Sequence, residues 1–261
     1  MVCPTPAITE PRLNPNSTTS GVRRHGSANW SGGFLPSSYE GVVFRSSSDP
    51  VLYLSNPPGI TAEMQRASLD ALKDLNQEHY TQTGDVEIAS RIASYELAFR
   101  MQAAAPDLLD FSKESPETLA LYGIRDQPGS QFAVNCLLVR RMVERGVRFV
   151  MLTHASWDDH TDLNPKLKKN CDLADQPTAA LINDPKQRGP LDSTLVAWGG
   201  EFGRTPTVEI RDPRDVNNAG SDHHPIAYSL FLAGGGIKGG QVCGQYIAGQ
   251  RPAAGFAAGG H

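Results

Sequence analysis

The chain has 261 residues, 39% hydrophobic and 20% charged, with 25 Gly and 19 Pro. That is enough apolar material for one large core or two small ones, and it rules out both a disordered polyelectrolyte and a low-complexity chain. A formal charge of −4 with a pI near 6.0 leaves no broad basic surface, so nucleic acid is not the expected partner.

Residues 1–19 (MVCPTPAITEPRLNPNSTT) lack a basic n-region and an apolar h-region, so no signal peptide is visible, and 1–28 is expected to be an irregular tail. Residues 20–60 are broken every few positions by Gly, Pro, Ser or Asn and predict loop with short strands at most. A helix is predicted from Thr61 as N-cap, through Met64, Leu69, Leu72 and Leu75, to a stop at Gly84. Asp85 caps a second, with Ile88, Ile92, Tyr95, Leu97 and Phe99 as its apolar stripe up to about Ala105. A third is expected over 130–145, ending at Gly146.

After Gly146 the period changes. Apolar runs at 147–152, 195–198 and 228–232 each lead into a polar or Gly-rich loop, and 177–188 reads as helix. This pattern predicts an α/β fold with a mostly parallel sheet flanked by helices, whose ligands bind beyond the carboxyl ends of the strands. Pro185 is expected to end or kink the helix, at roughly 3 kcal/mol. The end, 245–261, is Gly/Ala-rich without periodicity and is expected to be an irregular tail. No apolar run is long enough to cross a bilayer. Cys3, Cys136, Cys171 and Cys243 form no CxxC pair, so neither a zinc knuckle nor a disulfide framework is expected.

Chemistry-bearing residues gather in three of the loops. The first has His154, Trp157, Asp158, Asp159 and His160. An Asp two residues from a His can put a carboxylate and an imidazole on one ion, of the ligand types used for Zn, Mn, Ca or Mg. It can equally be a polar loop with Asp caps and a surface His. The second, residues 199–206, offers Glu201 to orient a ligand or water and Arg204 as a planar fork for phosphate or sulfate; the alternative is an internal Glu–Arg pair. The third places Asp222, His223 and His224 in a row before Pro225, as ligands or as a cap with exposed histidines.

The stretches WGGEFGRTP (198–206), SDHHP (221–225), FLAGGGIKGG (231–240), WDDH (157–160), NWSGGFLPSSYEGV (29–42), DPVLYLSNPPG (49–59) and IASYELAFRMQ (92–102) resemble the DUF1501 family over about 28–244. The family is similar to sulfatases and the alkaline-phosphatase-like superfamily. The resemblance implies a partial domain over 29–244 and metal-dependent hydrolysis of sulfate or phosphate esters in complete relatives. It implies divalent metal ions, with Asp158 and His160 on one and Asp222 and His223 on the other. Glu201 and Arg204 stand as supporting candidates, His224 and His154 as further ones. The expected partner is an anionic small molecule or a sulfated or phosphorylated ester. Family members carry an export signal, an early Asp and nucleophile segment, and a later His-bearing segment, and look periplasmic. This sequence shows none of these, so it reads as an internal or frameshifted fragment of weak or no activity, its nucleophile unassigned. The alternatives are a non-catalytic anion- or glycan-binding protein on the same scaffold, or a non-functional gene fragment.

Overall fold

A computed structural model of the chain describes residues 7–9, 41–45, 51, 54–124, 131–213, 217–226 and 228–244. The expected C-terminal tail at 245–261, most of the stretch 1–28 and most of the motif at 29–42 lie outside these residues. The chain divides into two units, Met1–His154 and Ala155–His261.

In the first unit, Thr61 caps helix α1 (Ala62–Thr83) by accepting a hydrogen bond from the Met64 amide at 3.2 Å. Gly84 ends it in the left-handed region, φ 69°, where a side chain would be strained. Asp85 then caps helix α2 (Val86–Leu109) through the Glu87 amide. The two helices are joined by Arg66, which reaches Glu96 with both arms (2.7 and 3.1 Å) and lies over the Phe99 ring. Helix α3 (Pro116–Tyr122) has Ser115 as cap, Pro116 in the first turn and Gly123 as stop. No helix is predicted there from the sequence, although Ser-Pro-Glu is a start signal in its own right.

Helix α4 (Gln131–Glu144) runs through the centre of the unit and buries Phe132, Cys136, Leu137, Leu138 and Met142. Phe44, Leu108, Leu138 and Met142 form an apolar cluster that Met101, Phe111, Val150 and Leu152 complete. Each such side chain, fully buried, contributes on the order of 1.5–3 kcal/mol. The same helix buries Arg140 and Arg141, both held by Glu114 at 2.6 Å. Burial raises the Glu114 pKa, but the two guanidiniums outweigh it and hold the carboxyl below its ordinary value.

Strands β1 (Ala7–Thr9), β2 (Val43–Arg45) and β3 (Met151–Thr153) pair in parallel in the order β2-β1-β3. They are three residues long, and the predicted strand over 147–152 is reduced to β3.

The second unit is led by helix α5 (Leu163–Arg188), longer at its start than predicted and continuous through Pro177 and Pro185. Asn170, Ala174, Pro177, Ala180 and Asp184 fall at steps of three and four, so the helix buries one face. That burial, with the Arg188–Asp184 ion pair, offsets the prolines' cost, and the helix ends at Gly189 instead. Strand β4 (Leu195–Gly199) pairs with strand β7 (Leu230–Gly234) antiparallel, Leu195 opposite Gly234. Gly234 is required: its φ is 76°, and a Cβ would lie 2.4 Å from the Thr194 carbonyl oxygen. Between them, strands β5 (Gly203–Arg204) and β6 (His223–His224) form a short antiparallel ribbon.

The expected mostly parallel α/β sheet is therefore wrong. Helix takes 53% of the described residues, leaving only short strands. A parallel pair needs a crossover of a dozen or more residues, usually helical. The segment from β4 to β7 holds no helix among the described residues, so β7 returns antiparallel. No helix among the described residues is long and apolar enough to cross a membrane.

Candidate metal and anion site

All the contacts of the site lie in the second unit. The β5–β6 register sets Arg204 opposite His223, so that both side chains reach one acceptor, the Asp158 carboxylate. Asp158 Oδ1 lies 2.7 Å from Arg204 Nη1, 2.8 Å from His223 Nε2 and 3.0 Å from His160 Nε2. The loops are tied behind this point by backbone bonds. The Ser221 amide donates to Asp159 O, and the Thr205 amide to Asp222 O. Gly220 packs so closely that a Cβ there would lie 2.0 Å from the His160 carbonyl carbon.

The Asp158 carboxyl feels opposed effects. Partial burial raises its pKa, but hydrogen bonds from His223 and Arg204 and the charges of His160 and Arg204 prevail and bring it to about 2. The neighbouring Asp159 is shifted upward instead: burial dominates, and Lys166, 3.9 Å away, only partly compensates.

The sequence candidates separate as follows. Asp158, His160 and His223 converge, their ligand atoms all within 4.8 Å of one another. The resemblance assigns His223 to a different metal from Asp158 and His160; here its Nε2 shares the Asp158 oxygen with them. Asp222 groups with His160 and Glu209, and its own carboxylate accepts from the His223 amide at 2.7 Å. Glu201 is exposed, 4.0 Å from Arg204. The Arg204 guanidinium lies 5.4 Å from the Phe202 ring, which packs on His223. His224 pairs with Gly203 along the ribbon. His154 belongs to the first unit, where its ring meets the edge of Phe132 and burial lowers its pKa.

Glu209 is absent from the sequence-based set. Its Oε2 lies 2.7 Å from His160 Nδ1, and its Oε1 accepts from Arg211 Nε at 2.8 Å. Those hydrogen bonds from Arg211 and His160 lower its pKa. The alternation Val208, Glu209, Ile210, Arg211 carries a faint signal: Val208 and Ile210 are exposed, and Glu209 faces the other way, toward His160. The indoles of Trp157 and Trp198 meet edge to face beside the site, 6.4 Å apart.

The donor set suits a divalent ion. Two imidazole nitrogens and a carboxylate oxygen are zinc-type ligands. Bonds of about 2.0–2.1 Å in tetrahedral geometry would set such atoms about 3.3 Å apart, a few tenths beyond the 2.8 and 3.0 Å that separate His223 Nε2 and His160 Nε2 from Asp158 Oδ1. His160 also carries the carboxylate behind its second nitrogen that metal-bound histidines use.

No curated protein and no solved structure matches the chain. A family model described as a protein of unknown function, DUF1501, matches residues 8–251. That span takes in most of both units and every residue of the cluster around Asp158, and by it the chain belongs to the DUF1501 family.

Proposed function

We propose that the second unit holds a divalent metal ion on Asp158, His160 and His223 and uses it, with Arg204, to bind a sulfate or phosphate ester, the site of a hydrolase of the sulfatase–phosphatase type. The observation that supports this most is the convergence of two imidazole nitrogens and a guanidinium on one carboxylate oxygen. Asp158 supplies the anionic ligand, kept ionised by the hydrogen bond and charge of Arg204 beside it. His160 and His223 supply neutral nitrogen. Arg204, at the rim, presents a second arm that can take an ester oxygen in a charge-assisted bond. A bound divalent ion would supply Lewis acidity toward the ester oxygens.

The test titrates purified chain with Zn, Mn, Ca and Mg and assays an aryl sulfate and an aryl phosphate. Stoichiometric metal binding, lost in Asp158→Asn, with metal-dependent turnover supports the reading. Binding of metal and ester without turnover assigns the chain to a non-catalytic anion binder. Absence of binding by all four ions ends the metal reading.

A further inference from the structure

The geometry points to Glu209 as the positioning residue of this site: its carboxylate holds the proton of His160 on Nδ1, so that Nε2 keeps its lone pair for the ligand. This deepens the metal reading and rests on it for one of its two measurements.

A neutral imidazole carries one proton, and His160 has a carboxylate at each nitrogen. Glu209 Oε2 is 2.7 Å from Nδ1, and Asp158 Oδ1 is 3.0 Å from Nε2. A proton on Nε2 would face Asp158, and the nitrogen that meets the ion would have no lone pair to give. Which carboxylate takes the proton decides whether His160 is a ligand. Asp158 Oδ1 already meets Arg204 and His223, whereas the Glu209 oxygen facing Nδ1 is distinct from the one that accepts from Arg211.

The backbone fixes Glu209 as firmly as its side chain does. Its amide and carbonyl exchange hydrogen bonds with Gly220, both 2.9 Å. Gly220 in turn touches the His160 backbone, where no side chain fits. The carboxylate and the imidazole it serves are therefore held by one rigid contact, and an exchange of the Glu209 side chain leaves that backbone frame in place.

Two measurements on the full chain test this, with thermal melting to show that each variant folds. In the first, long-range proton–nitrogen NMR on metal-free protein at about pH 8, above the ordinary histidine range, reads the His160 tautomer. Wild type and Glu209→Gln, whose amide oxygen still accepts, should carry the proton on Nδ1; Glu209→Ala should shift it toward Nε2. In the second, calorimetric zinc titration should show Glu209→Ala weakened about 10- to 100-fold and Glu209→Gln much less. A proton on Nε2 in wild type overturns the inference. So does a folded Glu209→Ala that keeps both the wild-type tautomer and wild-type zinc affinity. If wild type binds no zinc, the titration has nothing to report on and the tautomer alone decides the role of Glu209; the metal reading itself falls only if the other three ions fail as well.

Discussion

In the first unit the least exposed side chains, Tyr122, Cys136 and Leu137, are large or apolar and gather on α3 and α4. In the second, the buried residues include Ala180, Asp184, Asn170, Ala174 and Ser221, small or polar, with Leu191 the one large aliphatic side chain buried among the described residues, while Leu195, Trp198, Leu230 and Phe231 of the β4–β7 ribbon are half exposed. Apolar burial stabilises the first, with the Arg140–Glu114–Arg141 ion pairs buried beside it. The second is tied by hydrogen bonds and ion pairs that meet around Asp158. Polar ties are directional, so they fix side-chain positions that a smooth apolar core would leave to rotamer choice. That is the kind of stabilisation a binding site needs, and the candidate site lies where it operates.

The comparison is broken most directly at Leu137. Leu137→Ala removes a fully buried side chain and should cost about 2–5 kcal/mol in chemical denaturation; a cost near zero would show that the α4 core is loose. Next comes Gly220→Ala in the second unit. The three atoms nearest its added methyl are backbone atoms of His160, all within 2.5 Å, so the backbone must shift. The expected loss is about 1–3 kcal/mol with weakened metal binding, and an unchanged melting temperature and unchanged affinity would count against the rigid contact.

A smaller effect concerns pH. The folded Asp158 pKa, about 2, lies below its ordinary 3.8. Its ionised form therefore adds stability that is fully present above about pH 3.8 and is lost as pH falls through about 2. Arg204→Gln removes one of the cations, so the carboxyl should titrate closer to 3.8 in carbon-13 NMR; an unmoved midpoint would mean that Arg204 does not act on Asp158. The smallest change is expected from Leu230→Ala, 57% exposed, at about 0.5 kcal/mol or less by the same denaturation measurement. A penalty comparable to that of Leu137→Ala would erase the distinction between the units.

Local signals were legible in the sequence. Thr61, Gly84 and Asp85 punctuate α1 and α2 as read, because caps and left-handed stops act within a few residues. Strand direction was not legible: an apolar run such as 228–232 looks the same in a parallel or an antiparallel pair, and only the path between strands decides. Pro185 misled for a related reason, since its local cost is visible and the burial that offsets it is not. At the site, Asp158, His160 and His223 stood out because they sit in dense polar clusters. Glu209 did not, being 49 residues from the His160 it touches and flanked by ordinary exposed residues.

The edge-to-face indoles of Trp157 and Trp198 give the second unit an optical signature. Transition dipoles at that separation couple, and coupled dipoles in a fixed chiral setting give a split circular-dichroism band. Trp157 precedes Asp158 directly in the chain, so a ligand that draws the carboxylate by a few tenths of an ångström would also turn one of the two oscillators. Occupancy of the site could then be followed by spectroscopy alone, without dye, label or turnover.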